Sequence, residues 1–341
     1  MEGSVTENGN HKENGDLKVN GKDMENGLNK KMEAVGLEEP DAGNKGVLDE
    51  KEKLNDEGDA GGHGYVGPGA PRTQPLPHRL ARMTADKNAD TYNFSHQKRG
   101  RCIIFNHKNF DRSTGLGVRN GTDRDRDECQ QLFKLLGFEV KVYNDLTVAR
   151  IKEAIENVAY DEDHTESDCL AIVFMSHGEQ DVFYGYDGNF KAETLFDKFN
   201  ADVCPSLAGK PKLFFIQACR GDGLDAGVQM VQTRVSDETD SGYLSYKIPT
   251  TCDFLICWST VSGQFSWRNT SNGSWFIQSL VQVMQGHAYN DDLATLMTKA
   301  NRHMILNFES NCPSAPHMHG KKQSATIVST LMRKVQFNKK F

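Results

Sequence analysis

Short, unbroken apolar runs constrain this chain more than any other feature: Cys102 to Phe105, Leu170 to Met175, Leu213 to Ile216 and Phe254 to Trp258. A strand with one wet face alternates polar and apolar residues, so runs without alternation predict strands buried on both faces. Phe138 to Tyr143 does alternate, Phe and two Val against Glu and Lys, and predicts a strand with one wetter face. Ala325 to Met332 completes the set. Between these runs, apolar residues recur at helical spacing: Leu132, Leu135 and Leu136; Leu195, Phe196 and Phe199; Phe276, Leu280 and Met284; and Leu293, Leu296, Met297, Ala300 and Met304. Strand and helix in alternation predict an α/β fold with a mostly parallel six-stranded sheet flanked by helices.

The rest of the chain is unlike this. From Met1 to Gly64 there is no aromatic residue, and Glu-Asn-Gly recurs at Glu7, Glu13 and Glu25. Such a segment cannot bury enough apolar surface to offset its ordering entropy, so residues 1–59 read as a disordered polar arm. Dense glycine and proline make 60–90 a linker, with the ordered domain starting near Thr91. Gly221 to Tyr246 is a second long polar stretch, set inside the compact region, where loops of that length are usually functional or disordered.

Composition narrows the function classes. With 40 basic and 47 acidic residues the chain carries a net charge of −7, which favours neither nucleic acid nor an anionic membrane as a partner. No apolar run is long enough to span a bilayer, and the N-terminus lacks a signal-peptide pattern, so a cytoplasmic or nuclear location is expected. The eight cysteines contain no Cys-x-x-Cys pair, which argues against a disulfide framework or a structural zinc site. His317 and His319 without further ligands read as surface residues, and neither cofactor nor metal is expected.

Two buried strands run into reactive groups. Leu170 to Met175 leads into Ser176-His177-Gly178-Glu179, and Leu213 to Ile216 leads into Gln217-Ala218-Cys219-Arg220-Gly221. Ligand crevices in open parallel sheets lie outside the carboxyl ends of the strands, so neighbouring strands here would turn an imidazole and a thiol toward one cleft. A thiolate is a nucleophile, and a histidine beside it serves as base and then as acid. Taken alone, Cys219 also fits a buried core thiol and His177 a hydrogen-bonded strand cap.

From Arg101 to about Leu331 the chain resembles the caspases, most closely their executioner members. The resemblance rests on Gly121-Thr122-Asp123, the His177 tetrapeptide, Gly209-Lys210-Pro211-Lys212-Leu213, the Cys219 pentapeptide, Tyr246-Lys247-Ile248-Pro249, Ser266-Trp267-Arg268-Asn269 and Gly273-Ser274-Trp275-Phe276. It implies a cysteine endopeptidase cutting after aspartate, with His177 and Cys219 as catalytic pair and the backbone N–H groups of Gly178 and Cys219 as oxyanion hole. It assigns the aspartate pocket to Arg119, Gln217 and Arg268. Buried guanidinium groups suit that task, because a carboxylate taken out of water needs charged, forked donors.

The aromatic group Phe265, Trp267, Trp275 and Phe276 fits either a core or a substrate rim. The resemblance places Phe265, Ser266 and Trp267 along the substrate cleft and gives Asn269 and Trp275 a part in reading residues before the aspartate; Phe276, at a helical position, goes to the core. Ser262 departs from the proline usual in close relatives.

The chain also carries candidate substrates of its own. Asp56-Glu57-Gly58-Asp59 and Asp237-Glu238-Thr239-Asp240 both precede a small residue in polar segments. With the resemblance they read as maturation sites after Asp59 and Asp240, dividing the domain into a large piece, 91–240, and a small piece, 241–341. The resemblance further implies an Asp-Glu-x-Asp preference, a homodimer with one sheet continued across it, activation by an upstream initiator caspase and restraint by inhibitor-of-apoptosis proteins. A catalytically silent homologue acting as a scaffold is the main rival. An arginine- or lysine-directed relative would need an acidic pocket where this chain offers Arg119 and Arg268.

Overall fold

The computed structural model describes residues 84–227 and 249–340. Both proposed maturation sites, Asp59 and Asp240, and the 240/241 division lie outside the described residues. The strands are β1 (Arg101–Asn106), β2 (Glu139–Asn144), β3 (Leu170–Met175), β4 (Gly178–Glu179), β5 (Val182–Tyr184), β6 (Asn189–Lys191), β7 (Lys212–Gln217), β8 (Phe254–Trp258), β9 (Arg268–Asn269), β10 (Gly273–Ser274) and β11 (Thr326–Ser329). The α-helices are α1 (Thr122–Leu135), α2 (Val148–Glu156), α3 (Trp275–His287) and α4 (Leu293–Asn307).

Six strands form the main sheet in the order β11-β8-β7-β3-β1-β2. The five from β8 to β2 are parallel, and β11 pairs antiparallel with β8 at one edge. Side chains alternate across the sheet and build two cores. On one face Ile104, Val173, Phe215 and Leu255 meet α1, α3 and α4 through Phe133, Leu280 and Leu296. On the other, Ile103, Phe174 and Phe214 meet α2 and two short 3-10 turns through Ile151, Leu195 and Phe199. Burial on both faces explains why β3 and β7 contain no exposed position.

The structure corrects three details of the sequence reading. Leu135 ends α1 and is exposed, while Leu132 and Leu136 are buried. Leu195, Phe196 and Phe199 lie on or beside two 3-10 turns, Ala192–Leu195 and Asp197–Phe199, rather than on one helix. β11 is shorter than the apolar stretch around it.

One buried lysine ties β3 to its neighbour at the end away from the cleft. Lys210, just before β7, donates from Nζ to the carbonyls of His164, Thr165 and Ser167 at 2.7, 2.6 and 2.6 Å. These acceptors precede β3, so the ammonium anchors the start of both strands and holds their register.

Candidate active site

β3 and β7 pair in parallel with Met175 opposite Gln217. His177 stands two residues beyond the first and Cys219 two beyond the second, so both reach the same rim of the sheet. The two chain ends press together there: a Cβ on Gly178 would lie 2.8 Å from the Cys219 carbonyl oxygen and 3.0 Å from Ala218 Cβ. Only glycine permits that approach without a shift of backbone.

His177 donates from Nε2 to the carbonyl of Gly117 at 2.9 Å. A neutral imidazole carries one proton, so this bond leaves Nδ1 as the basic nitrogen. Phe110 packs on the ring with centroids 4.9 Å apart. Burial pushes the imidazole pKa below its ordinary value, opposed by the Gly117 carbonyl and reinforced by Arg119 and Arg268. Burial likewise pushes the Cys219 thiol up, opposed by the Ser266 backbone and by both arginines. The resting pair is therefore a neutral thiol and a neutral imidazole.

Cys219 contacts the Ser266 backbone twice: Sγ accepts from Ser266 N at 3.5 Å and donates to Ser266 O at 3.9 Å. Behind it, Gln217 Nε2 donates to Ser266 Oγ at 2.8 Å, and Ser266 Oγ donates to Ser259 Oγ at 3.0 Å. Gln323 closes the network, donating to Ser259 O at 2.7 Å and accepting from Trp267 N at 2.7 Å.

The two arginines converge on the same region. Arg119 is 1 % exposed; its Nη1 donates to His107 O at 2.7 Å and Thr122 Oγ1 at 3.0 Å, and Nη2 has no partner among the described residues. Arg268, half-buried on β9, donates from Nε to Asn120 O at 2.9 Å. Neither guanidinium pairs with a carboxylate among the described residues. Burial lowers the pKa of both; Arg119 falls to about 9, with Arg268 the next cause. Gln217 Oε1 is also buried, without a partner among the described residues. A buried guanidinium with an unpartnered N–H beside a second, half-buried guanidinium offers the charge and the donors that a small carboxylate needs.

The segment 117–121 knits these parts together. Gly117 holds the imidazole, Arg119 and Asn120 serve the pocket, and Gly121, at φ +87, lies so close to the β9–β10 turn that a Cβ would stand 2.5 Å from Asn269 O. Trp267 and Trp275 are buried and stacked at 5.5 Å, with Phe265 edge-on to Trp267 at 5.2 Å and Phe308 stacked on Trp275 at 5.6 Å. The tryptophans thus belong to the core as well as lying next to Ser266 and Arg268, and Phe276 is core. Asn269 is exposed, its side chain accepting from Ser271 N and Asn272 N in its own turn.

Sequence reasoning did not find the carbonyls of Gly117 and Asn120, nor Ser259, Gln323 or Asp125. A carbonyl has no letter in a sequence, since every residue supplies one.

The caspase domain family model matches residues 99–336. Caspase-1 of Spodoptera frugiperda is 44% identical over 304 residues, covering 88% of this chain and 97% of that protein. Caspase-7 of Gallus gallus is 42% identical over 248 residues, 72% of this chain and 79% of that protein. The crystal structure of the Spodoptera frugiperda caspase-1 superposes with a TM-score of 0.71 at 44% identity, covering 76% of this chain and all of that one.

The chain belongs to the caspase family. It is a cysteine-type endopeptidase directed at aspartate and is executioner-like, since caspase-3 of Bos taurus, at 40% identity over 252 residues, and caspase-7 are among its relatives. The parallel sheet with flanking helices is the caspase fold. Among the described residues no helix is long and apolar enough to cross a membrane.

Proposed function

We propose that His177 and Cys219 carry the peptidase reaction of this caspase and that Arg119, Gln217 and Arg268 select aspartate. The observation that supports this best is the β3–β7 register, which sets thiol and imidazole on one rim beside two guanidinium groups lacking a carboxylate partner among the described residues.

The steps follow from the groups present. The Cys219 sulfur attacks the main-chain carbonyl carbon of the substrate aspartate while its proton passes to His177 Nδ1. The oxyanion rests on the N–H groups of Gly178 and Cys219. As the tetrahedral adduct collapses, the imidazolium protonates the leaving amine, and a thioester remains. His177 then takes a proton from water, the hydroxide adds to the thioester carbon, and the thiol is restored as the acid leaves. Gly117 keeps the imidazole aligned throughout, because its carbonyl accepts from Nε2 in both charge states.

Arg119 Nη2 and the Arg268 fork donate to the substrate carboxylate. Turning the Gln217 amide over brings its NH2 to the same carboxylate while Oε1 accepts from the Ser266 hydroxyl. Phe265, Ser266 and Trp267 line the neighbouring subsite, with Asn269 and Trp275 further along. Maturation occurs after Asp59 and Asp240, and the Asp-Glu-x-Asp pattern there is the preference toward other proteins. The working form is a cytoplasmic homodimer of large-plus-small units, activated by an initiator caspase and restrained by inhibitor-of-apoptosis proteins.

Purified full-length chain incubated with a tetrapeptide library, followed by N-terminal sequencing of its own fragments, tests this reading. Cleavage after Asp-Glu-x-Asp and new N-termini at Ala60 and Ser241 are expected, and Asp240→Ala should leave a poorly active single chain. Full activity of Asp240→Ala, or cleavage after residues other than aspartate, contradicts it.

A further inference from the structure

Two aspartates on α1 have different surroundings. Asp123 is half-exposed and pairs with Lys108 and Arg126. Asp125 is 1 % exposed and has no ion-pair contact among the described residues. Its oxygens accept from the backbone N–H of Ser274, at 2.8 and 3.1 Å, and the Ser274 hydroxyl adds a second contact from the same residue. A buried carboxylate served by one residue and by no ion pair among the described residues is under-solvated.

What Ser274 does gives that carboxylate its meaning. Ser274 caps α3, accepting from Ile277 N, and it is the register partner of Arg268 in the β9–β10 pair. Gly273, at φ +90, lies tight against the same carboxylate, where a Cβ would stand 2.3 Å from Oδ1. The bond therefore fixes the strand opposite Arg268. It joins α1 to residues 149 positions away, across the proposed cut at Asp240. Asp125 is also the leading favourable charge felt by both Arg119 and Arg268, which otherwise disfavour one another.

We propose that Asp125 is a positioning residue of the aspartate pocket: it pins the Arg268–Ser274 turn to α1 and supplies Arg119 and Arg268 with a negative partner until the substrate carboxylate arrives. This rests on the proposed role of the two arginines. Without the negative charge the guanidinium groups repel and the turn is held by a weaker bond, so substrate binding must first reassemble the pocket. That burden falls on binding rather than on the thiol chemistry.

Asp125→Asn keeps the shape and an acceptor for Ser274 N while removing the charge; Asp125→Ala removes both. Three readings on the full-length chain decide the matter: kcat and KM on an Asp-Glu-Val-Asp peptide, the iodoacetamide alkylation rate of Cys219, and the thermal midpoint at neutral pH. The expected result for Asp125→Asn is a KM raised about tenfold with kcat within about twofold, and a larger KM for Asp125→Ala. Alkylation should be unchanged, since iodoacetamide does not use the pocket. Burial holds the Asp125 carboxyl up at about 6, so its ionised form is disfavoured and the Asn variant should melt no lower than the parent. Unchanged KM in both variants overturns the proposal. So does a joint fall of kcat, alkylation rate and melting point in Asp125→Asn, which marks general structural damage. If the parent chain alkylates at Cys219 yet cuts no aspartate-ended peptide, the arginine pocket reading fails instead, and this inference goes with it.

Discussion

His177 and Cys219 stand equally far beyond one matched pair of the sheet, Met175 opposite Gln217. Their placement on one rim is thus a property of strand register, set at the far end by the Lys210 ammonium and its three carbonyls. A slip of one residue would turn every side chain of β3 to the other face, so the proposed catalytic pair is as securely placed as the core itself.

The proposed aspartate pocket stores instability. Arg119 is buried without an ion-pair contact among the described residues, and removing such a charge relieves desolvation while removing, on the proposed role, the grip on substrate. Arg119→Met should lower kcat/KM on an aspartate-ended peptide at least about 30-fold, from the roughly 2–5 kcal/mol of a truncated buried charge contact. Its thermal midpoint should equal or exceed that of the parent. Calorimetry alongside peptide kinetics checks both halves.

Gly178 is sterically confined. The Cβ of Gly178→Ala would meet the Cys219 carbonyl at 2.8 Å, so the strand ends must part and Cys219, the proposed nucleophile, must move. Turnover should fall by about tenfold or more, because misplacing reacting groups by even about 1 Å can cost about 100-fold. Circular dichroism should show the fold retained.

Acid stability carries the mark of His107, which is fully buried between Phe110 and Phe174 with neither ring nitrogen partnered among the described residues. Burial, reinforced by Arg119 and opposed by Asp145, lowers its pKa from 6.5 to about 4. The unfolded chain then binds the proton more readily than the folded one. Stability from this group is full above the ordinary imidazole value, declines as pH falls through it, and levels off below about 4, a span of roughly 3 kcal/mol. His107→Phe should flatten that decline in urea titrations run at successive pH values, and an unchanged slope counts against the buried neutral ring.

Much of this was legible in the letters, for physical reasons. β3, β7 and β8 announce themselves because strands covered on both faces have no polar position to blur the run. The faces of α3 and α4 were equally plain, with Phe276, Leu280, Met284, Leu293 and Met304 all buried. Leu135 misled because helix periodicity cannot say where the helix stops, and Leu195 to Phe199 misled because 3-10 turns bury similar spacings. α2 carries an N-cap at Thr147 and buried Ile151 and Ile155, yet its face is too short to stand out.

At the candidate site, the sequence nominates side chains and is silent on their supports. Cys219, His177, Arg119, Gln217 and Arg268 are recognisable by type and by their neighbours in sequence. The Gly117 and Asn120 carbonyls, and the contact between Asp125 and Ser274, are matters of geometry across long separations in the chain.

The most direct test is covalent capture. Full-length protein is treated with a biotin-tagged fluoromethyl ketone built on Asp-Glu-Val-Asp, or with its Asp-Glu-Val-Asn twin, and the adduct is mapped by peptide mass spectrometry in the parent and in Arg268→Ala. The account predicts one adduct at Cys219, out of eight cysteines, formed far faster with the aspartate probe and lost in Arg268→Ala. Labelling elsewhere, or equal rates with both probes, contradicts it.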